Sequence, residues 1–256
     1  MKQSRLLAQA LAVGTLLLVW QTGAWLLPDF LLPDVPGVAA RILQEMTGGP
    51  YLRGVATSLV RLAAGYLSAV LLGTVLGLAG GLSQRLALYL KSLIAILQAV
   101  PPITWLPFLI IILGFGSRPV IMVVAVASFF PMALSVLGGI ESVERIHVDQ
   151  ARVLGASRWQ LLSRVYLPET LPAVVTGAQV AFGNAWRSLI ASEMVGGFSQ
   201  GLGWSMSYSG EVADMKGVLA GIVIIGALAL LMDRLVLERL KRKLLPWRYT
   251  EEGHAA

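Results

Sequence analysis

The sequence predicts an all-α protein that crosses a membrane several times, and three observations support this prediction. Apolar residues of the AVILMFWYC set make up 56% of the 256 residues and charged residues only 13%, against roughly 25% charged residues in ordinary soluble domains. The mean hydropathy of +0.75 is too high for a chain that must cover a soluble globule. The apolar runs are continuous over about twenty residues, the length of a membrane-spanning helix, whereas strands of a membrane barrel alternate over about ten.

The same composition excludes several classes of protein and site. The low polarity excludes disorder, collagen and coiled coil. The chain has no Cys and only two His. A disulfide scaffold, a thiolate metal site, a Cys nucleophile and a His-rich metal site are therefore excluded. We expect no metal and no catalytic residue in this chain.

Six stretches are long enough to span a bilayer. They are Leu6–Leu27, Val55–Gly80, Leu86–Leu113, Val120–Leu137, Pro172–Val195 and Val218–Leu237. A signal peptide is the alternative interpretation of the first stretch, because Lys2 and Arg5 precede its apolar run. Residues Thr22 to Ala24, however, form only a weak cleavage site. We interpret it as an uncleaved helix.

The basic residues predict the orientation of the spans. With the N-terminus inside, the 20 Lys and Arg residues divide into 14 inside, 4 outside and 2 within spans. The positive-inside rule therefore places both termini in the cytoplasm. The basic run from Arg234 to Arg248 is interpreted as a topology and headgroup anchor rather than a nucleic-acid site.

Small residues and prolines mark special points in the spans. Gly73, Gly77 and Gly81 recur every four residues, as do Gly217 and Gly221, which favours close helix packing. We also expect a short interfacial helix near Val38–Met46, in the longest outside segment.

Pro101 and Pro102 interrupt the third span and remove two backbone donors. A broken helix at membrane depth is tolerated where it is buried in protein or lines a water-filled cavity. Packing and permeation both remain open for this break.

The loop between the fourth and fifth spans, residues 141–168, is polar and patterned, and it lies in the cytoplasm by the charge argument. Ile146, Val153 and Leu154 fall on one helical face. Gly155 is a natural helix stop, because glycine tolerates left-handed backbone geometry.

A second short helix is predicted directly after this stop. Ser157 is its cap, and Gln160 completes a capping box. Its apolar face contains Leu161, Leu162 and Val165, and Pro168 is expected to end it. Two short helices at the membrane surface could dock to a cytoplasmic partner. They could equally form an interfacial connector that touches only lipid, and the pattern leaves both alternatives open.

This loop resembles the EAA loop of ABC importer permeases, which has Glu-Ala-Ala, three residues, Gly, and a Pro thirteen positions later. Asp149, Gln150 and Ala151 stand at the first three positions, Gly155 is the glycine and Pro168 the proline. Asp and Gln depart from the family's Glu and Ala, but the turn glycine remains. Further matches cover nearly the whole chain, and the combination is similar to permeases for aliphatic sulfonates, taurine and nitrate. These matches are Val100–Pro102, Leu106–Pro107, Gly114–Gly116, Ala185–Trp186, Ser192–Met194 and Gly201–Gly203.

The resemblance implies an all-α type I ABC importer (MetI-like) permease fold with about six transmembrane helices in a bacterial inner membrane. It implies a single domain over 1–256, with a first helix in 1–30, a five-helix core in 55–237 and a basic tail in 238–256. It also implies a second copy of the chain, two ATPase subunits that hold ATP and Mg²⁺, and an extracytoplasmic solute-binding protein. The residues that it implies for coupling to the ATPase are Asp149, Gln150, Ala151, Leu154, Gly155, Ala156 and Ser157.

Ionisable residues inside spans are costly and are candidates for function. Arg61, near the outer end of the second span, is given a structural role. Arg187, near the middle of the fifth span, is hypothesised to attract a small anion, with the alternative that it pairs with a buried carboxylate or helix carbonyls. The candidate substrate pathway comprises Asn184, Arg187, Glu193, Pro101 and Pro102.

Two other classes of function are alternatives to an importer subunit. A channel or secondary transporter should show inverted repeats and several intramembrane carboxylates, but Glu193 is the one clear carboxylate within a span. A membrane enzyme needs a cluster of nucleophiles or metal ligands at one face. The sequence contains no Gly-x4-Gly-Lys-Ser/Thr phosphate loop. ATP is therefore expected on partner chains.

Overall fold

The computed structural model describes residues 2–81, 83–197 and 200–244, and these form helices and connecting turns with no β-strand among them. The α-helices of this part of the chain are α1 (Lys2–Leu26), α2 (Val35–Thr47), α3 (Gly49–Gly81), α4 (Gln84–Gln98), α5 (Leu106–Leu113), α6 (Ser117–Glu141), α7 (Arg145–Val153), α8 (Arg158–Leu161), α9 (Leu167–Val195), α10 (Leu202–Glu211), α11 (Met215–Met232) and α12 (Glu238–Leu244). The all-α prediction is confirmed. Residues 245–256 of the predicted tail lie outside the described residues.

Four described helices, α1, α3, α6 and α11, are long and apolar enough to cross a membrane. α4 and the segment Pro102–Leu113 make a fifth candidate when they are taken as one span bent by 78°. The predicted break of the third span is therefore confirmed. α9 has 29 residues, which is ample length, but it is not among the helices that are apolar enough. By composition the described residues thus contain four or five spans rather than six. The predicted fifth span is α9, which is less apolar over its length than a span requires.

Helix α6 forms the centre of the bundle, between α3 and α9. Its side chains Val120, Val123, Val124, Val136 and Leu137 are completely buried. The outer faces of the surrounding helices carry large apolar side chains, such as Leu67 and Leu71 on α3, which are 62% and 66% exposed. An apolar core and an apolar surface together are what a lipid environment requires.

The glycine stripe of α3 faces α6, as the four-residue spacing predicts. A Cβ atom added at Gly77 would lie 2.6 Å from Cβ of Val136, and one added at Gly81 would lie 2.6 Å from Cδ1 of Ile140. On α11, Gly221 faces Met206 of α10 in the same way. The predicted packing role of these glycines is confirmed.

At Gly65, helix α3 lies directly against the backbone of α6. An added Cβ would lie 2.6 Å from the carbonyl oxygen of Ile121, and backbone cannot yield as a side-chain end can. We expect Gly65→Ala to destabilise the protein by about 1–3 kcal/mol, measured as a lower thermal midpoint in detergent. Gly226→Ala is the matched control, since an added Cβ there meets nothing within 4 Å. Equal thermal midpoints for the two variants would contradict the conclusion that the contact with Ile121 leaves no room for a Cβ atom at Gly65.

A short turn connects α1 to α2, and two hydrogen bonds made by side chains of α1 hold this turn in place. Trp20 Nε1 donates to the carbonyl oxygen of Pro33 at 2.9 Å, and the Val35 N–H donates to Gln21 Oε1 at 3.0 Å. Asp34 caps α2 by accepting from the Gly37 N–H at 3.1 Å. The helix predicted near Val38–Met46 is therefore present, over Val35–Thr47.

The prediction that Pro168 ends the second loop helix is wrong. α8 continues through a π-helical turn, Leu162–Tyr166, directly into α9, and Pro168 lies in the first turn of α9. A proline is tolerated there because the π-helical turn directly before α9 interrupts the regular i→i−4 hydrogen-bond pattern into which its missing N–H group would otherwise donate. The loop between α6 and α9 is therefore joined without interruption to the helix that carries Arg187.

Candidate functional site

The loop between α6 and α9 has the predicted turn and caps. The backbone at Gly155 has φ +79°, in the left-handed region. Around it, the Gly155 N–H donates to the carbonyl oxygen of Arg152 at 2.9 Å, and the Ala156 N–H donates to that of Ala151 at 3.0 Å. Such bonds satisfy carbonyl groups at the helix end that would otherwise lack donors. Both helices are therefore held at a defined angle by local chemistry.

The capping box of α8 is complete. Ser157 Oγ accepts from the Gln160 N–H at 3.3 Å, and Gln160 Oε1 accepts from the Ser157 N–H at 2.8 Å. This reciprocal pair fixes the start of α8 at Arg158, directly after its N-cap Ser157.

An apolar patch lies on the exposed side of α7. It consists of Ile146, Val153 and Leu154, which are 57%, 88% and 87% exposed; we call it the α7 patch. With Asp149 and Gln150 these side chains line a shallow cavity of about 650 Å³. The structure thus brings three of the predicted coupling residues, Asp149, Gln150 and Leu154, to one surface, with the Gly155 turn at its edge.

The opposite side of α7 is attached to the membrane bundle. Val148 is buried, and His147 Nδ1 lies 2.7 Å from Glu169 Oε1 in the first turn of α9. Sequence reasoning did not find this contact, because 22 positions separate the two residues. The sequence holds no specific signal for it, because Glu144 and Asp149 lie nearer to His147 along the chain.

A second feature is a cavity between the broken third span, α6 and α9. It has a volume of about 210 Å³ and includes three of the five predicted pathway residues, Pro102, Asn184 and Arg187. Arg187 is exposed on the chain, and its Nη2 donates to Asn184 Oδ1 at 2.8 Å. Pro101 is exposed beside the cavity and does not line it. The other lining residues are Gln98, Val100, Ala127, Phe130, Pro131 and Ser188.

Glu193 lies outside this cavity, in a buried polar network. Its Oε1 accepts from Arg61 Nη1 at 2.8 Å, and the two side chains are 0% and 6% exposed. Ser58 Oγ lies 2.9 and 2.8 Å from the two carboxylate oxygens. Glu193 Oε2 also accepts from the Gly203 N–H at 3.1 Å, and Ser58 Oγ accepts from the Leu202 N–H at 2.9 Å. The network therefore joins α3, α9 and the start of α10.

Arg61 extends the same network to α6. Its Nε donates to Ser117 Oγ at 3.0 Å, and Nη1 also donates to the carbonyl oxygen of Gln200 at 2.8 Å. A buried guanidinium is tolerated only when it is paired and hydrogen-bonded in this way. The sequence pointed to a structural Arg61 without identifying Glu193 as its partner.

The side of the bundle predicted to face outward carries partly exposed ion pairs. Arg41 bridges Glu45 and Asp214, each at 3.0 Å, and Lys216 lies 3.0 Å from Asp29. Burial raises the pKa of Glu45 above its ordinary value, and the Arg41 guanidinium partly opposes this shift. Exposed pairs contribute little individually, but together they tie α2 to the start of α11.

An all-helical membrane domain with a broken span, a polar cavity and an attached helical loop is typical of the membrane-spanning subunit of a transport system. The chain belongs to the family of binding-protein-dependent transport system inner membrane components, whose model matches residues 69–243. It is therefore an inner-membrane permease component of the ABC transporter class.

Individual relatives agree with the predicted branch of this family. The taurine transport system permease protein TauC of Escherichia coli (strain K12) is 36% identical over 247 residues, which cover 93% of this chain and 89% of that protein. The putative aliphatic sulfonates transport permease protein SsuC of Bacillus subtilis (strain 168) is 30% identical over 242 residues, which cover 94% of this chain and 87% of that protein. The predicted resemblance to sulfonate and taurine permeases is confirmed.

A solved structure confirms the predicted fold. The MetNI methionine ABC transporter in an inward-facing conformation superposes with a TM-score of 0.63 at 22% sequence identity, over 75% of this chain and 95% of that chain. At this identity the likeness concerns the fold alone.

Proposed function

We propose that this chain is the permease subunit of an ATP-driven importer for a small anionic solute of the sulfonate, taurine or nitrate type. Two copies of the chain would form the pathway, two separate ATPase subunits would hold ATP and Mg²⁺, and an extracytoplasmic binding protein would deliver the solute. The family and the names of the sulfonate and taurine relatives support this proposal.

The observation that carries the proposal is the exposed α7 patch. Val153 and Leu154 are 88% and 87% exposed on a polar loop, where water contact with such side chains is unfavourable. Covering the patch with a groove of an ATPase subunit would remove this cost. Asp149 and Gln150 at its edge would supply polar contacts at the rim.

The attachment of α7 to α9 supports a coupling role for the loop. α8 runs into α9 through the π-helical turn, and the His147–Glu169 contact ties α7 to the same helix. Closure of the ATPase dimer would therefore move the loop and α9 together. Alternating access follows if this unit has two stable positions, as packed helices commonly do.

The orientation in the proposal rests on charge. The excess of Lys and Arg on one side favours cytoplasmic termini and a cytoplasmic α7 patch. The chain would lie in the bacterial inner membrane, with the Arg41–Asp214 side facing the binding protein.

The first test compares two substitutions of exposed apolar residues. We expect Leu154→Ser to lose co-purification of the ATPase subunit encoded nearest in the genome by about tenfold, because the lost contact is intermolecular. Val212→Ser is the matched control, since Val212 is 54% exposed at the other end of the bundle. It should retain the ATPase. Both variants should unfold at the wild-type temperature.

The second test measures uptake by proteoliposomes that contain the complex and its binding protein. The solutes are taurine, ethanesulfonate and nitrate, and we expect their uptake to require ATP. Uptake that needs neither ATP nor an ATPase subunit would contradict the proposal and favour a channel or secondary transporter. Equal ATPase recovery with Leu154→Ser and wild type would contradict the role of the α7 patch.

A further inference from the structure

The two arginines in the interior helices differ in their electrostatic environment. Arg61 is buried and neutralised by Glu193 at 2.8 Å. Arg187 has Asn184 as its hydrogen-bond partner, and no carboxylate of the described residues lies within ion-pair distance of it. A cation in an apolar helix without a counter-charge is costly, so a bound anion would stabilise it.

The surroundings of Arg187 offer hydrogen-bond donors. Because Asn184 Oδ1 accepts from Arg187, the amide N–H groups of Asn184 remain to donate, as do the other N–H groups of the guanidinium. Ser188 and Gln98 line the same cavity and add a hydroxyl and an amide. Among the described residues, no Asp or Glu lines this cavity. Convergent donors around one positive charge are the chemistry of an oxyanion site.

The cavity also limits the size of the ligand. Its volume of about 210 Å³ corresponds to roughly seven water molecules at about 30 Å³ each. Pro102 and Pro131 are among the residues that line it. A compact anion of a few non-hydrogen atoms fits within this volume.

We propose that Arg187, Asn184 and Ser188 form an anion-binding subsite inside the permease, for a small sulfonate or similar oxyanion. The subsite rests on the proposed import function and adds to it, because the permease itself would then select for negative charge. Arg187 holds the oxyanion by charge and by paired N–H groups, while Asn184 and Ser188 orient it.

The absence of cysteine in the chain allows a direct test that does not depend on ATP. Ser188→Cys in the full chain, in phosphatidylcholine vesicles, is labelled with sulfonatoethyl methanethiosulfonate and with its trimethylammonium analogue. We expect the anionic reagent to react faster, ethanesulfonate to slow it, and the ratio of the two rates to fall about tenfold when Arg187→Gln is added. Arg187→Lys should restore most of the ratio.

A cysteine at Thr47, exposed at the end of α2, is the matched control, and its rate ratio should not change with Arg187→Gln. An unchanged ratio at position 188, or no labelling there by either reagent, would overturn the proposal. Protection by added phosphatidylglycerol instead of ethanesulfonate would also overturn it, since the ligand would then be a lipid headgroup.

Uptake by the complete importer separates this inference from the import function. If wild type imports ethanesulfonate, Arg187→Gln lowers uptake about tenfold and Arg187→Lys, which keeps the charge but not the paired N–H groups, lowers it less, the subsite is supported. If wild type imports and Arg187→Gln imports equally well, the subsite fails and the import function stands. If wild type imports nothing, the import function fails, while the labelling ratio still decides the subsite.

Discussion

Replacing Arg61 by methionine should destabilise the protein by about 3–5 kcal/mol, because it leaves a buried carboxylate without its counter-charge. Glu193 is 0% exposed, so water cannot replace the guanidinium. The same substitution removes the bonds from Arg61 to Ser117 and Gln200. The measurement is thermal unfolding in detergent followed by tryptophan fluorescence, for which the chain has 7 Trp. We expect the midpoint to fall by about 10 °C or more.

The control for this prediction removes the buried charge while keeping the hydrogen-bond acceptor. In Arg61→Met combined with Glu193→Gln, the amide oxygen can still accept from Ser58 or from the Gly203 N–H. We expect the double variant to recover about half of the lost stability, since the desolvated carboxylate is gone. If the double variant is as unstable as the single one, the contribution comes from packing of the arginine and not from the ion pair.

What the sequence predicted well is the chemistry of neighbouring residues. The Gly155 turn and the Ser157–Gln160 capping box are determined within a few positions, so their sequence pattern is sufficient. The contact of Arg187 with Asn184 likewise follows from a spacing of three residues on one helix.

What the sequence did not predict depends on how helices are rotated against one another. Arg61 and Glu193 are 132 positions apart, and their pairing requires the final packing of α3 on α9. Gln98 and Ser188 meet at the Arg187 cavity for the same reason. The sequence wrongly predicts a helix end at Pro168, because a proline that follows a helix and one in the first turn of a helix have the same local pattern. The π-helical turn that decides between these cases has no signal in the sequence pattern.

Substituting proline for Gly155 should weaken binding of the proposed ATPase subunit without unfolding the bundle. Gly155 has φ +79°, whereas a proline ring holds φ near −65°. Proline also removes the N–H that donates to the carbonyl oxygen of Arg152. The turn must then open and carry the α7 patch away from its present position. We expect co-purification of the ATPase to fall about tenfold or more, ATP-driven uptake to be lost, and the thermal midpoint to change little.

Asparagine at the same position is the matched control, because it tolerates left-handed backbone better than other non-glycine residues. Gly155→Asn should therefore keep most of the ATPase and of the uptake. Alanine should lie between the two, since a left-handed alanine costs about 1–2 kcal/mol and an added Cβ meets nothing within 4 Å at this position. The order Asn, Ala, Pro would identify backbone geometry as the cause. If all three variants lose the ATPase equally, the lost contact lies at the surface of Gly155 itself, and the geometry of the turn is not what couples the two subunits.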